Sequence, residues 1–293
     1  MDEHRWKHLH DCAETLMLWH AVLKTPVGAA FLRLITALAS GQQRPALRSY
    51  AALTGALAQE STQPSGQSIS SPSGDAWQSY VLERVLADEN PFTQALARNG
   101  AAAVPAGLAR LAAADLRGLE ALYRTDAETV RAAIAGLDGD TGATGGAGLP
   151  TWRELGAATE PPPIATLLDR TAGWDAPEVL RAIAEHIARA GSGLLGRYRA
   201  FRWVHGEHDT HSPLCLPLDF GALWAIPHPD PIRFDDLIGY APQRRLLLQN
   251  TEHFLAGAPA NNVLLYGDRG TGKSASIKAL LNAYGDRGLR LKK

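Results

Sequence analysis

Eight residues near one end of the sequence carry its clearest chemistry: Gly267-Asp268-Arg269-Gly270-Thr271-Gly272-Lys273-Ser274. Glycines at 267, 270 and 272 admit backbone conformations closed to residues with a Cβ, so that successive N–H groups can turn inward around phosphate oxygens. Lys273 opens the following helix and is placed to reach β- and γ-phosphates. The Ser274 hydroxyl is placed to ligate Mg²⁺, and the helix N-terminus adds its positive end. Ahead of the loop, Asn262-Val263-Leu264-Leu265-Tyr266 is an apolar run too short for a helix and reads as a strand. Behind it, Ile277, Leu280, Leu281 and Tyr284 stand at i, i+3, i+4 and i+7 and give a helix one apolar face. Strand, glycine-rich turn and helix together spell a phosphate-binding P-loop. The expected ligands are ATP and Mg²⁺, with Gly267 through Ala275 as nucleotide-binding residues and Ser274 as the metal ligand.

The bulk numbers bound what the rest can be. A chain of 293 residues, 45% hydrophobic and 20% charged, can build two globular domains. A formal net charge of −1 gives no bulk electrostatic case for nucleic acid or an anionic membrane. Cys12 and Cys215 are too few and too far apart for a disulfide framework, which fits a reducing compartment. The acidic start Met-Asp-Glu-His is not a signal n-region, so the expectation is a soluble cytoplasmic protein.

Residues 5–60 step in helical periods: Leu9, Cys12, Leu16, Trp19 and Leu23, then Phe31, Ile35 and Leu38 after Pro26. His4, His8, His10 and Cys12 have the i, i+4 spacing of metal ligands, but no second ligand pair lies nearby and a solvated histidine face is the favoured reading. Residues 61–75, rich in Ser, Gln, Pro and Gly, and 137–150, rich in Gly, predict flexible loops. Val85-Leu86-Ala87-Asp88-Glu89 mimics the apolar strand ending in Asp-Glu with which ATPases hold Mg²⁺, yet Val81, Leu82, Val85 and Leu86 follow a helical period. Helices are expected again over 93–136 and 177–190.

After Gly191 the pattern changes to short aromatic and apolar runs, 194–204 and 216–226, suggestive of two strands or a hairpin. Between them His205, His208, His211 and Cys215 could chelate zinc, although an ordinary polar loop is favoured. Leu214 to Asp219 is a second mimic of a metal-holding strand, and Pro217 argues against a central one. Three prolines in 226–231 form a stiff joint.

The run from Asp230-Pro231-Ile232-Arg233-Phe234 through Ile238-Gly239-Tyr240 to Gly-Asp-Arg-Gly-Thr-Gly-Lys-Ser resembles a bacterial family of AAA+-like ATP-binding proteins of unknown function. The resemblance covers about the last hundred residues, counting Arg197-Tyr198-Arg199-Ala200-Phe201-Arg202-Trp203, and only loosely the helical part. It implies an α/β P-loop NTPase fold, incomplete here and preceded by a mainly α-helical region, with Ile238 and Gly239 lining the adenine. The implied organisation is a helical domain over 1–190, short strands and the proline joint over 191–230, and the opening of the ATP-binding domain over 231–293. P-loop ATPases continue well beyond their first helix into a strand bearing the Mg²⁺-binding carboxylates and a polar sensor. The chain is therefore expected to be the N-terminal part of a longer ATPase, or a natural short form, that binds nucleotide without hydrolysing it. The alternative is a helical interaction module with a vestigial or weak nucleotide site. Either reading gives the helical region an unidentified protein partner, no membrane, and leaves open an oligomeric parent.

Overall fold

The computed structural model describes residues 3–62, 75–99, 104–137, 149–155, 163–171, 173–205, 214–218 and 221–292. The chain divides into two compact units, Met1–Ala188 and Arg189–Lys293. The expected loops at 61–75 and 137–150 fall almost wholly outside the described residues, as do His208 and His211.

The first unit is helical: α1 (Glu3–Glu14), α2 (Pro26–Ala39), α3 (Gln43–Thr62), α4 (Ala76–Ala87), α5 (Pro91–Asn99), α6 (Ala106–Tyr123), α7 (Ala127–Gly136), α8 (Pro163–Arg170) and α9 (Pro177–Ala190), the last running on past the unit's end. The helices start where the sequence supplies caps. Thr25 accepts the Gly28 N–H ahead of Pro26, Asp75 accepts the N–H groups of Trp77 and Gln78, and Asp126 accepts that of Thr129. Val85 and Leu86 lie buried in α4, so the first apolar-then-acidic mimic is helix, and Asp88 is its C-cap. One continuous core joins these helices, centred on Phe31 stacked on Trp77 with ring centroids 3.8 Å apart, and on the fully buried Trp19, Tyr50, Tyr123, Trp152 and Trp174. Each buried indole of Trp19, Trp77 and Trp174 donates to a backbone carbonyl, those of Val85, Leu122 and Leu168 respectively.

A close approach inside this core yields a stability prediction. A Cβ added to Gly28 in α2 would sit 2.2 Å from the Val22 carbonyl oxygen and 2.5 Å from the Leu23 Cα, both backbone atoms with little freedom to move. Gly28→Ala is expected to destabilise the unit by about 2 kcal/mol or more in urea unfolding, the opposite of the gain from Gly→Ala in an unencumbered helix. An unchanged midpoint would refute it.

The second unit combines α10 (Gly193–Arg197), α11 (Ala241–Leu255) and α12 (Lys273–Tyr284) with β1 (Ala200–Val204), β2 (Cys215–Leu218), β3 (Gly221–Ala225) and β4 (Leu291–Lys292). The sheet is small and mixed, in the order β2-β3-β1-β4. β3 pairs antiparallel with both β2 and β1, Phe201 opposite Ala225 and Cys215 opposite Trp224, whereas β4 lies parallel to β1 with Ala200 opposite Leu291. Pro217 sits on the edge strand, where a missing N–H does least harm. The segment 262–266 departs from expectation. It pairs with no strand among the described residues, leaving Val263, Leu264 and Tyr266 50%, 83% and 88% exposed. A strand exists only with a ladder partner, and this unit's sheet is assembled around β1 instead. Among the described residues no helix is long and apolar enough to cross a membrane.

Candidate functional site

The glycine-rich loop is carried on a small apolar cluster. Leu280 and Tyr284 of α12 pack on Leu247 of α11, with Phe234, Leu248, Leu255, Ile277 and Leu289 around them. The apolar stripe read from the sequence is thus the face that docks α12, and it directs the helix N-terminus, with the loop, outward. Polar clamps fix the rest. The Tyr284 hydroxyl donates to Glu252 at 2.9 Å, and burial together with that carboxylate pushes the phenol pKa up. The Asn282 amide donates to the carbonyls of Asp230 and Ile232. Lys278 pairs with Asp230 at 2.7 Å and, together with the Ile232 N–H, holds that carboxyl below the usual carboxylate range.

Entry to the loop is set by Asn250 on α11. Its side-chain amide donates to the Asn261 carbonyl at 2.8 Å and its oxygen accepts the Asn261 N–H at 2.9 Å, so one residue fixes both backbone groups of the lead-in. Beyond that clamp, a groove of about 480 Å³ separates α11 from the lead-in, with Leu246 and His253 on one side and Val263 and Leu265 on the other.

In the loop itself Gly267, Gly270 and Gly272 take φ of 134°, 82° and 79°, all in the range that L side chains rarely adopt. Gly272 is the N-cap of α12, and Lys273 and Ser274 are its first residues. The Lys273 ammonium folds back over the loop and donates to the Gly267 carbonyl at 2.8 Å, the Asp268 carbonyl at 2.6 Å and the Thr271 hydroxyl at 3.2 Å. Thr271 in turn donates to the Asp268 carbonyl. Asp268, Arg269 and Ser274 are exposed, and Ala275 is half-buried in the first turn of α12. The residues singled out from 267 to 275 are therefore contiguous in space, with one cation held at the loop's centre.

Ile238 and Gly239 lie in the connection into α11. Ile238 is 97% exposed, Gly239 has φ of 83°, and Tyr240 beside it has φ of 55°, the one left-handed non-glycine among the described residues. No hydrogen bond or ring contact joins these three to the glycine-rich loop. Sequence reasoning missed Asn250, Asp230 and the strained Tyr240. A polar residue inside a helical run carries no periodic signal, and the Asp230–Lys278 pair spans too many residues to be seen without the fold.

On α1, Cys12 Sγ lies 3.6 Å from His8 Nε2, and burial with the neighbouring Asp11 charge raises the thiol pKa, which disfavours the metal-binding thiolate. Among the described residues no three His, Cys, Asp or Glu side chains are placed to hold a metal ion. His205 accepts from the Trp203 indole at the end of β1, whereas Cys215 begins β2.

No curated protein and no solved structure matches the chain. Residues 196–293, which lie wholly within the second unit, match the model of a family described as a protein of unknown function (DUF815).

Proposed function

We propose that the second unit binds a nucleoside triphosphate, ATP by preference, with Mg²⁺, and that it does so through an AAA+-like P-loop. The observation that carries the reading is the loop 267–272. Three glycines in positive-φ conformations lead directly into a helix whose first residue is a lysine with its ammonium over the loop. Backbone N–H groups of such a loop cradle phosphate oxygens, and the N-terminus of α12 favours their charge. Lys273 exchanges its contacts with the loop for β- and γ-phosphate oxygens. The Ser274 hydroxyl would hold Mg²⁺, which supplies charge neutralisation between the phosphates. Ile238 and Gly239 line the adenine. The adjoining left-handed Tyr240 supports that placement, since residues in sparsely populated backbone regions concentrate at ligand clamps.

The resemblance of Gly267 to Ser274 to AAA+-like proteins supports the same reading, but the sequence offers no convincing strand of carboxylates to activate water. Binding without turnover is the proposed activity. A second reading, a helical interaction module with a weak site, draws support from the ammonium's three existing oxygen partners, which a ligand must displace.

Titration of a fluorescent ATP analogue into the chain with Mg²⁺ tests this. Saturable binding that weakens with Ser274→Ala only when Mg²⁺ is present supports the site and its metal ligand. No binding at millimolar analogue would leave only the interaction module, and steady-state hydrolysis that disappears in Lys273→Ala would overturn binding without turnover.

A further inference from the structure

The net charge of −1 conceals a segregation. Residues 189–293 carry fourteen Lys and Arg against nine Asp and Glu, a net of +5, whereas the first unit carries fifteen against twenty-one, a net of −6. Within the second unit the excess gathers where residues 189–204 meet 284–292: six arginines and Lys292 against the single carboxylate of Asp286. These two stretches are held together by the parallel pairing of β4 with β1, by Arg290 Nε donating to the Leu195 carbonyl at 2.7 Å, and by an Arg199–Asp286 ion pair.

The cations are fixed rather than waving. Arg287 lies over the Tyr284 ring at 5.2 Å, Lys292 over the Trp203 ring at 4.4 Å, and Arg197 over the Tyr198 ring at 5.7 Å. Arg290 also reaches the Gly285 and Leu289 carbonyls near the C-terminal end of α12, where the helix dipole tolerates positive charge. Burial, and then the charge of Arg199, hold the Arg290 pKa below the usual arginine range. Arg189, Arg202, Arg287 and Lys292 are exposed around this braced centre.

The geometry points to a nucleic-acid-binding face here, one that recognises the phosphodiester backbone without reading sequence. A protein-binding patch depletes charge at its centre and exposes apolar groups there, but among the described residues of these two stretches the exposed large apolar side chain is Leu195 alone, and the rings of Tyr198, Trp203 and Tyr284 have cations over them. Nucleic-acid interfaces are much more positive, and arginine's planar fork suits phosphate.

The test is fluorescence anisotropy of the full chain, without ATP, on short labelled duplex DNA and duplex RNA of mixed sequence. Affinity is expected to fall steeply with salt and to be similar across sequences, and preference for one duplex identifies the source of the backbone. The triple variant Arg202→Gln, Arg287→Gln, Lys292→Gln, with an unchanged circular dichroism melt, is expected to bind at least roughly tenfold more weakly and to lose about 0.9 of salt slope per cation removed. The exposed trio Arg33→Gln, Arg44→Gln, Arg48→Gln in the first unit serves as control and is expected to bind as the parent does. Equal weakening by both trios, or none by the first, overturns the proposal. Displacement of the duplex by polyglutamate at equal charge concentration also overturns it and assigns the face to an acidic protein.

Discussion

Lys273→Ala is expected to weaken binding of an ATP analogue by roughly a hundredfold, a loss of about 2.7 kcal/mol, while leaving the fold intact. The two halves of that statement come from different observations. The binding half follows from position: the ammonium is the cation at the centre of the loop, and Arg269 is the other positively charged side chain in the run Gly267–Ser274. The folding half follows from what Lys273 touches. Its partners are the Gly267 and Asp268 carbonyls and the Thr271 hydroxyl, all in an exposed loop, so water can replace the ammonium at little cost. Thermal unfolding of the variant should therefore coincide with that of the parent while the titration shifts. A melt lowered by several degrees would show that the lysine is a structural strut of the loop. Unchanged affinity would remove the phosphate site altogether. Lys273→Arg separates charge from geometry: if a compact point charge inside the loop is required, the bulkier guanidinium also fails.

What was legible in the sequence was what depends on neighbours along the chain. α2 could be read because Phe31, Ile35 and Leu38 keep its period after Pro26, and the structure adds the Thr25 cap. The run ending in Asp88-Glu89 could be assigned to a helix because Val81, Leu82, Val85 and Leu86 repeat at helical spacing, and all four are buried in α4. The loop 267–272 could be located because glycine is the residue that positive φ demands. What could not be read depends on partners remote in sequence. The segment 262–266 has the composition of a buried strand, but composition cannot supply a neighbour, and among the described residues none stands beside it. β4 is two residues long and is a strand because β1, far back in the chain, lies next to it. The basic face was invisible for a related reason: net charge averages over the chain, whereas a field depends on which charges the fold gathers.

Asp115→Ala is expected to destabilise the helical unit by about 3–5 kcal/mol, lowering its melting temperature by roughly 10 °C, which makes it the largest effect expected of a single polar substitution. Asp115 lies on α6, only 1% exposed, and its carboxylate does the work of a helix cap for a turn almost a hundred residues away. It accepts the N–H groups of Met17, Leu18 and Trp19, the second at 2.6 Å and the others at 3.0 Å. Those donors follow the end of α1, and Leu18 and Trp19 are themselves buried, so no water is at hand to replace the carboxylate. Alanine leaves two buried N–H groups unpaired and loosens the turn that sets Trp19 against Phe92 and its indole against the Val85 carbonyl. Asp115→Asn distinguishes charge from hydrogen bonding. The amide keeps one acceptor of similar shape but points donors toward donors, so about half of the loss should remain. Trp19 fluorescence cannot be isolated among seven tryptophans, so the measurement is urea unfolding followed by far-ultraviolet circular dichroism, with both variants beside the parent. A loss below about 1 kcal/mol for alanine would mean that the turn finds other acceptors, and that α6 and the start of the chain are joined by apolar packing alone.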